Sequence, residues 1–381
     1  MVQFKNPRIC KLVLTYSCNL NCTYCFEKYK TNDPSKHMSL DAAKDVISKE
    51  IASIERTGNF DGLAINLFGG EPLLRFKMIK SFCEWLWELD TKVKYTVSIT
   101  SNGTLLTADK RDWFRRHKDK ISLRLSIDGN SSTQLLNRGV SLEDIPVEFV
   151  HDTWPDVHFS MTISREALNR YAEDFISLTR QGYQLESGRA TGVAWTAEEA
   201  RIYEEQLTRI ANFYLENPEY SPNPFFMYSF TGQLMDRSDS FCGAGHHMVA
   251  YDYSGKGYPC HMFLPYVWGR DMFDEIQYID FEHPLAERKD PVCEKCVLVK
   301  CCPTCISDNL QERGDVGLRD KRGCKMLEAE FRVISAFQIQ YYMKKKNSLS
   351  REEQVKLKAA IEIYHLTERR NEKTTVETTK R

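Results

Sequence analysis

Residues 12–25 read Leu-Val-Leu-Thr-Tyr-Ser-Cys-Asn-Leu-Asn-Cys-Thr-Tyr-Cys, an apolar run followed at once by three cysteines within eight residues. The apolar run predicts a short buried strand, with the cysteines after its carboxyl end. A helix is predicted to begin after Ser39, a common N-cap residue, with Ala43, Val46 and Ile47 on its apolar face. The order expected here is strand, cysteine loop, helix.

The same alternation of apolar strand and amphipathic helix recurs along the chain. Further strands are predicted over residues 63–67, 95–100, 122–127, 157–163 and 192–195. Six such units favour a parallel sheet that curls into a partial barrel. The predicted fold class is therefore α/β, a partial (β/α)6 TIM barrel, followed by a small cysteine-rich domain and C-terminal helices.

Each of the first four predicted strands ends in a polar motif. The cysteine loop follows the first, and the others lead into Gly69-Gly70-Glu71-Pro72, Ser101-Asn102-Gly103 and Ser126-Ile127-Asp128-Gly129. Because the carboxyl ends of parallel strands share one rim, a single site is predicted there. An isolated GGEP or SNG is more often an ordinary turn, so the prediction depends on the order and placement of the motifs.

Bulk composition narrows the classes of function. The net charge of −1 argues against a general binder of nucleic acid or anionic membrane, since both partners favour a basic excess. There is no long apolar run and no apolar signal core near Met1, which predicts a cytoplasmic protein with no membrane partner. Thirteen cysteines without an export signal favour thiolate ligation of metal over a disulfide framework.

The first cysteine group has the spacing CxxxCxxC, formed by Cys18, Cys22 and Cys25. Three thiolates at this spacing can bind three corners of a cubane 4Fe-4S cluster and leave one iron without a protein ligand. The alternatives are a zinc site or chance clustering, but structural zinc usually takes four protein ligands and no fourth lies nearby. An open iron could bind a substrate directly.

With an aromatic residue, Tyr24, before its last cysteine, this loop resembles the signature of the radical S-adenosylmethionine (SAM) superfamily. The resemblance implies that the open iron chelates the amino and carboxylate groups of SAM. It also implies that the reduced cluster cleaves SAM to methionine and a 5′-deoxyadenosyl radical, which abstracts hydrogen from a substrate.

The same resemblance implies roles for the polar motifs. The GGE residues would hold the methionine amino group, and the Ser-Asn pair would approach the ribose. Gln134-Leu135 replaces the His-Asp often found before the matching arginine. The residues that the resemblance places at the cofactor are Tyr24, Gly69, Gly70, Glu71, Ser101, Asn102, Ser126 and Arg138.

A second cysteine region begins with Cys242, Gly255 and Cys260 in the arrangement C-x12-G-x4-C, and six more cysteines follow it up to Cys324. This region resembles the SPASM domain, a module that holds one or two auxiliary 4Fe-4S clusters. A zinc ribbon is the alternative, because paired CxxC motifs are its hallmark. By resemblance the outer auxiliary cluster takes Cys293, Cys296, Cys302 and Cys324, and the inner one takes Cys242, Cys260 and Cys305.

The inner set has three ligands, one fewer than a fully ligated cluster. Either one iron is open to substrate, or Cys301 or a histidine supplies the fourth ligand. The tandem Cys301-Cys302 is also ambiguous, because the family spacing fits either residue imperfectly. We predict Cys302 as the outer ligand.

SPASM enzymes mostly modify peptides or proteins. Sulfatase maturases form formylglycine and carry an aspartate base directly after the cysteine that matches Cys260, whereas His261 stands here. A histidine can act as a base near neutral pH, and the alternative is a hydrogen-bond donor beside a cluster. The predicted function is a maturase that installs a thioether or carbon–carbon crosslink in a ribosomally made precursor peptide.

Other functions stay open at this point. They are formylglycine formation, another SPASM oxidation of a small molecule, and a non-catalytic electron carrier, against which the SAM motifs argue. The expected partners are the precursor peptide and an electron donor such as flavodoxin or ferredoxin. Seventeen residues precede Cys18, so leader recognition is expected to use the barrel, the C-terminal tail or a separate leader-binding protein.

Three domains are predicted: the radical SAM barrel over residues 1–220, the SPASM domain over 221–330 and a helical tail over 331–381. In the tail, a helix is predicted over 327–346, and Ser350-Arg351-Glu352-Glu353 predicts a capping box that opens a second helix.

Overall fold

The computed structural model describes residues 4–234, 242–281, 290–345 and 348–378. Its contacts divide the chain into two compact units. The first unit comprises Met1–Thr162 and Cys242–Glu282, and the second comprises Ile163–Phe241 and His283–Arg381. These units group the chain differently from the three domains predicted from the motifs, and that division stays a prediction. Within the described ranges, no helix is both long and apolar enough to cross a membrane.

A six-stranded sheet is the centre of the first unit. Its order is β4-β3-β2-β1-β7-β8, in which only β8 runs antiparallel to its neighbour. The strands of the protein are β1 (Pro7–Val13), β2 (Gly62–Phe68), β3 (Tyr95–Ser101), β4 (Ser122–Leu125), β5 (Phe159–Ile163), β6 (Leu185–Arg189), β7 (Met248–Tyr251) and β8 (Gly257–Tyr258).

The α/β class is confirmed, and the first five predicted strands correspond to β1 to β5. The sixth was wrong: the strand is Leu185–Arg189, whereas the turn at Gly192, with φ of +75°, is followed by irregular chain over residues 193–195. The sheet is open, and its last two strands come from the cysteine-rich region instead of the predicted barrel. A single bridge between Ser126 and Ser160 connects the end of β4 to β5.

Thirteen α-helices lie in the described ranges. They are α1 (Leu40–Thr57), α2 (Phe76–Glu88), α3 (Ala108–Arg116), α4 (Ser131–Arg138), α5 (Val147–Thr153), α6 (Tyr171–Arg180), α7 (Ala197–Glu216), α8 (Pro265–Trp268), α9 (Phe273–Ile276), α10 (Pro291–Glu294), α11 (Ile306–Arg313), α12 (Cys324–Lys344) and α13 (Arg351–Thr378).

The predicted start of α1 is confirmed. The Ser39 side chain accepts a hydrogen bond from Ala42 N, and the helix ends at Gly58 in the left-handed conformation. Its buried residues include Ala43, Val46 and Ile47, the face that the sequence predicts. Because side chains alternate along a strand, β2 and β3 each bury one row of mainly apolar residues, and the row on the opposite face is only partly buried.

The second unit is mostly helical. Glu330 of α12 is buried and accepts hydrogen bonds from Arg189 Nε (2.7 Å) and Tyr203 Oη (2.9 Å). The predicted capping box is confirmed, because Ser350 N donates to Glu353 Oε2 and Ser350 Oγ accepts from Glu353 N. Of the predicted helix over 327–346, the last residue lies outside the described ranges.

Candidate functional site

Hydrogen bonds join the motifs at the carboxyl ends of β1 to β3. Glu71 Oε1 accepts from Ser101 Oγ and Oε2 accepts from Asn102 N, each at 2.8 Å. Asn102 Nδ2 donates in turn to Asn19 Oδ1 in the cysteine loop, at 2.9 Å. The cysteine loop, GGEP and SNG therefore form one connected rim, as the strand order predicts.

Two glycines allow the second motif to lie directly against the cysteine loop. Gly70 N donates to Thr15 O at 3.0 Å, and Glu71 N donates to Ser17 O at 2.9 Å. A Cβ atom on Gly70 would lie 2.3 Å from Ser17 O, far inside van der Waals contact. The backbone can approach this closely only because neither Gly69 nor Gly70 has a side chain.

Glu71 is fully buried and its carboxylate acts as an internal acceptor. Burial raises the pKa of this carboxyl, and the hydrogen bonds from Asn102 N, Leu73 N and Ser101 Oγ oppose that rise. Because Ser101 Oγ donates a hydrogen bond to Glu71 Oε1, both residues also stabilise the rim. Their contacts with SAM stay predictions.

The three thiols of the cysteine loop are half-buried. Burial raises the pKa of the Cys18 thiol to about 11, and it raises the pKa of Cys22 and Cys25 as well. The Lys30 ammonium lowers the pKa of all three thiols and anchors the loop by donating to Leu20 O at 3.0 Å. Thiolate donors beside a fixed cation fit the chemistry of an iron–sulfur cluster.

Asp128, in the motif after β4, is the acceptor at the centre of a buried network. Its carboxylate receives Tyr24 Oη at 2.6 Å, Arg138 Nε and Nη2 at 2.9 Å each, and Thr162 N at 2.9 Å. Asn137 Nδ2 adds a fifth hydrogen bond at 3.2 Å. Asp128 thus brings the predicted cofactor residues Tyr24 and Arg138 together, because both donate hydrogen bonds to its carboxylate.

Gln134 occupies the position where the sequence departs from the family pattern. It is fully buried, and its Oε1 accepts from Asp128 N at 2.8 Å while Nε2 reaches Ser126 O at 3.5 Å. Gln134 therefore fixes the turn that carries Ser126 and Asp128. Sequence reasoning quoted both Asp128 and Gln134 but gave neither a role, since only the fold shows what they contact.

His261 follows Cys260 and lies close to two of the motifs. Its ring is 5.5 Å from the ring of Phe26, which follows Cys25, and 5.2 Å from that of Phe68, which precedes Gly69. Its Nδ1 is 3.1 Å from Lys11 Nζ. Burial, and then the Lys11 charge, hold the pKa of His261 well below its usual range.

The inner set of auxiliary ligands is divided between the two units. Cys242 is exposed and Cys260 is buried, and burial followed by the neighbouring Cys242 thiol raises the pKa of Cys260 to about 12. Cys305 belongs to the second unit, where it caps α11. The assignment of these three cysteines to one cluster stays a prediction.

The structure separates the two tandem cysteines. Cys301 is 2% exposed, and its Sγ donates to Phe230 O at 3.4 Å within the core of the second unit. Burial raises the pKa of the Cys302 thiol, Arg319 lowers it, and the nearby Cys296 and Cys293 thiols raise it further. This arrangement favours Cys302 over Cys301 as the partner of the CxxC pair.

In the described ranges, no three His, Cys, Asp or Glu side chains are arranged to hold a single metal ion. A cubane cluster binds its cysteines at separate iron corners, so its ligands are spread more widely than those of one ion. The half-buried thiols of the first loop, beside Lys30, are the donor set that fits such a cluster.

Comparison with known proteins gives one matching family model. Residues 12–149 match the Radical SAM superfamily. The radical SAM cyclopropyl synthase TigE of Paramaledivibacter caminithermalis is 21% identical over 352 residues, which cover 85% of this chain and 73% of TigE. The AdoMet-dependent heme synthase of Methanosarcina barkeri is 33% identical, but over only 35% of each chain.

Solved structures of similar fold include anSMEcpe with bound AdoMet. It superposes with a TM-score of 0.69 and 15% identity, over 93% of this chain and 99% of that one. SuiB of Streptococcus suis bound to the precursor peptide SuiA gives a TM-score of 0.58 and 16% identity, over 83% of this chain and 76% of SuiB. At these identities the likeness shows a shared fold.

Proposed function

We propose that this protein, of which residues 12–149 match the radical SAM superfamily, is a radical SAM enzyme that modifies a ribosomally made precursor peptide by installing a thioether or carbon–carbon crosslink. The observation that carries the proposal is the connected rim, where Asn102 joins Asn19 of the cysteine loop and Glu71 joins Ser101. The similarity to the cyclopropyl synthase TigE supports radical SAM chemistry. The fold shared with SuiB, solved with the precursor peptide SuiA, and with anSMEcpe, solved with the Cp18Cys peptide, supports a peptide substrate.

The proposed cofactors are SAM, a 4Fe-4S cluster and two auxiliary 4Fe-4S clusters. When bound at Cys18, Cys22 and Cys25, the first cluster and SAM would supply a 5′-deoxyadenosyl radical. Lys30 favours the thiolate form of those ligands, and the Tyr24–Asp128 hydrogen bond holds their loop against the rim. A crosslink removes two hydrogen atoms from the peptide. The radical takes one of them; the other would leave as a proton, and a bound auxiliary cluster would accept its electron.

The auxiliary ligands proposed for the outer cluster are Cys293, Cys296, Cys302 and Cys324, and those for the inner one are Cys242, Cys260 and Cys305. His261 is proposed to lie beside the reacting peptide, since it contacts both Phe26 and Phe68 at the rim. An electron donor such as flavodoxin or ferredoxin, and a separate leader-binding protein, complete the proposed partners.

The experiment that tests this proposal starts from anaerobic reconstitution with iron and sulfide. About twelve irons per chain, falling by about four in a Cys18→Ala, Cys22→Ala, Cys25→Ala variant with loss of 5′-deoxyadenosine, are expected for three clusters. Pooled synthetic peptides that contain cysteine are then incubated with enzyme, SAM and dithionite, and analysed by mass spectrometry. A product that has lost two hydrogens and resists thiol alkylation supports a thioether.

A second outcome of that assay would favour formylglycine formation. A product in which a cysteine side chain has become an aldehyde, detected by hydrazide labelling, contradicts the crosslink proposal. Deoxyadenosine formed without any peptide product, together with oxidation of a small alcohol, would instead favour the small-molecule alternative. No deoxyadenosine from a fully loaded protein would contradict radical SAM catalysis itself.

A further inference from the structure

Arg319 lies against the cysteines of the second unit. Its side chain is 7% exposed, and Nη1 donates to the Cys302 carbonyl oxygen at 2.6 Å. The buried positive charge of this side chain therefore lies directly against the backbone of Cys302.

The position of Arg319 is fixed by the segment that carries Cys293. Arg313 Nη1 donates to Arg319 O at 2.9 Å and to Asp290 Oδ2 at 3.0 Å. Asp290 in turn caps α10, the short helix that contains Cys293. Because one ion pair holds both chain segments, the guanidinium and the cysteines keep a defined arrangement.

The acid of this segment is already paired with other cations. Asp290 Oδ2 lies 3.0 Å from Arg313 Nη1 and 3.0 Å from Lys321 Nζ. Two cations therefore offset the charge of Asp290, and this carboxylate does not cancel the charge of Arg319 beside Cys302.

We propose that Arg319 raises the reduction potential of the outer auxiliary cluster through its buried positive charge, which lies against the ligand Cys302. This inference depends on the proposed function, in which Cys302 ligates that cluster. Reduction adds one electron and makes no new bond, so the reduced form carries more negative charge. A buried cation beside a ligand stabilises that form more than the oxidised one. Arg319 is thus a positioning and tuning residue that favours electron acceptance at the outer site.

The test is a redox titration with dithionite, followed by electron paramagnetic resonance, on the full chain. A Cys18→Ala, Cys22→Ala, Cys25→Ala background removes the SAM-binding cluster from the spectrum. Adding Cys302→Ala identifies the outer signal by its disappearance. Arg319→Met removes the charge, and Arg319→Lys keeps it. The matched control is Lys345→Met, which removes a charge beyond the far end of α12, roughly 30 Å along the helix from Cys324.

The expected result is a more negative midpoint potential in Arg319→Met, a potential close to that of wild type in Arg319→Lys and no change in Lys345→Met. An unchanged potential in an Arg319→Met protein that retains its iron overturns the inference. If that variant loses iron, the inference is tested instead by measuring hyperfine coupling in a protein labelled with 15N-arginine. A hyperfine coupling between 15N and the reduced outer cluster should be present, and should vanish in Arg319→Lys. Absence of that coupling also overturns the inference.

Failure of the proposed function gives a different result. If Cys302→Ala loses no iron and no signal, Cys302 does not ligate a cluster, and the proposed ligand set is wrong. If Cys302→Ala loses iron while Arg319 has no effect on the potential, the ligand set stands and only the role of Arg319 is contradicted.

Discussion

The Tyr24 hydroxyl donates a 2.6 Å hydrogen bond to Asp128 Oδ2 and so joins the cysteine loop to the end of β4. The same oxygen receives Arg138 Nε, whose guanidinium lies 5.5 Å from the Tyr24 ring. Tyr24 is therefore held both through its hydroxyl and through its aromatic face. The position of the proposed cluster ligands therefore depends on the buried Asp128–Arg138 ion pair, which cannot be recognised from the sequence motif.

Replacing Asp128 with Asn should destabilise the first unit strongly. The change removes the charge that pairs with buried Arg138, and breaking a buried pair costs about 3–5 kcal/mol. The urea midpoint should fall and iron incorporation should drop by about four per chain, the content of one cubane cluster. Asp152→Asn, at an exposed position of α5, is the matched control. A wild-type urea midpoint in Asp128→Asn would show that the network contributes no stability.

Tyr24→Phe separates loop positioning from cofactor contact. The ring stays in place over Arg138, while one hydrogen bond to a charged acceptor is lost, a change of about 1.5–3 kcal/mol. We expect a lower thermal unfolding midpoint with iron retained and the amount of 5′-deoxyadenosine reduced. If Tyr24→Phe matched wild type in both measurements, the hydroxyl would have no part in holding the loop.

Gly70→Ala should abolish SAM cleavage. The added Cβ would lie 2.3 Å from Ser17 O, so the segment after β2 that carries Glu71 must move away from the cysteine loop. Gly188→Ala is the control, because its Cβ would meet nothing within 4 Å. The measurement is SAM affinity of the reconstituted enzyme together with 5′-deoxyadenosine formation. Normal SAM binding by Gly70→Ala would contradict the need for this close approach.

The two tandem cysteines should respond differently to alanine. Cys302→Ala is expected to lose about four irons, the content of one cubane cluster. Cys301→Ala should keep its iron and lose only stability, because its thiol is buried against Phe230 O. Iron and sulfide counts on both variants distinguish them. Equal iron loss from both would show that Cys301 is also a ligand.

The stability that the buried Asp290 carboxylate gives to the second unit should be sensitive to acid. Burial would raise the pKa of its carboxyl, but the hydrogen bonds and charges of Lys321, Val292 N and Arg313 outweigh burial and lower the pKa below its usual value. A lowered folded-state pKa stabilises the protein above the unfolded pKa, near about 4, and this stabilisation disappears as the pH falls further.

The corresponding variant is Asp290→Asn, followed by urea unfolding between pH 7 and pH 3. It should be less stable than wild type at pH 7, and the difference should shrink as the pH falls below about 4. Asp315→Asn gives a comparison with an aspartate in the same unit. A constant difference between Asp290→Asn and wild type at every pH would contradict the ionic role of Asp290.

Much of the fold could be predicted because its signals are local. The apolar runs of β1 to β5, the N-cap at Ser39 and the capping box at Ser350 are short-range patterns with a direct physical reading. The strand placed over 192–195 failed because a left-handed glycine there favours a turn. No local pattern could reveal that β7 and β8, far along the chain, extend the same sheet beyond β1.

The sequence by itself determined the chemistry: thiolate spacing, a glycine pair and polar strand ends require only residue identity and order. Tertiary structure decided which side chains contact one another, because these contacts are set by packing. Examples are the hydrogen bonds of Tyr24 with Asp128, of Gln134 with the Asp128 backbone, and of Arg319 with the Cys302 backbone. It also separated Cys301 from Cys302, neighbours that differ only in the direction of their side chains. That direction follows from which face is buried, and burial is a property of the folded chain.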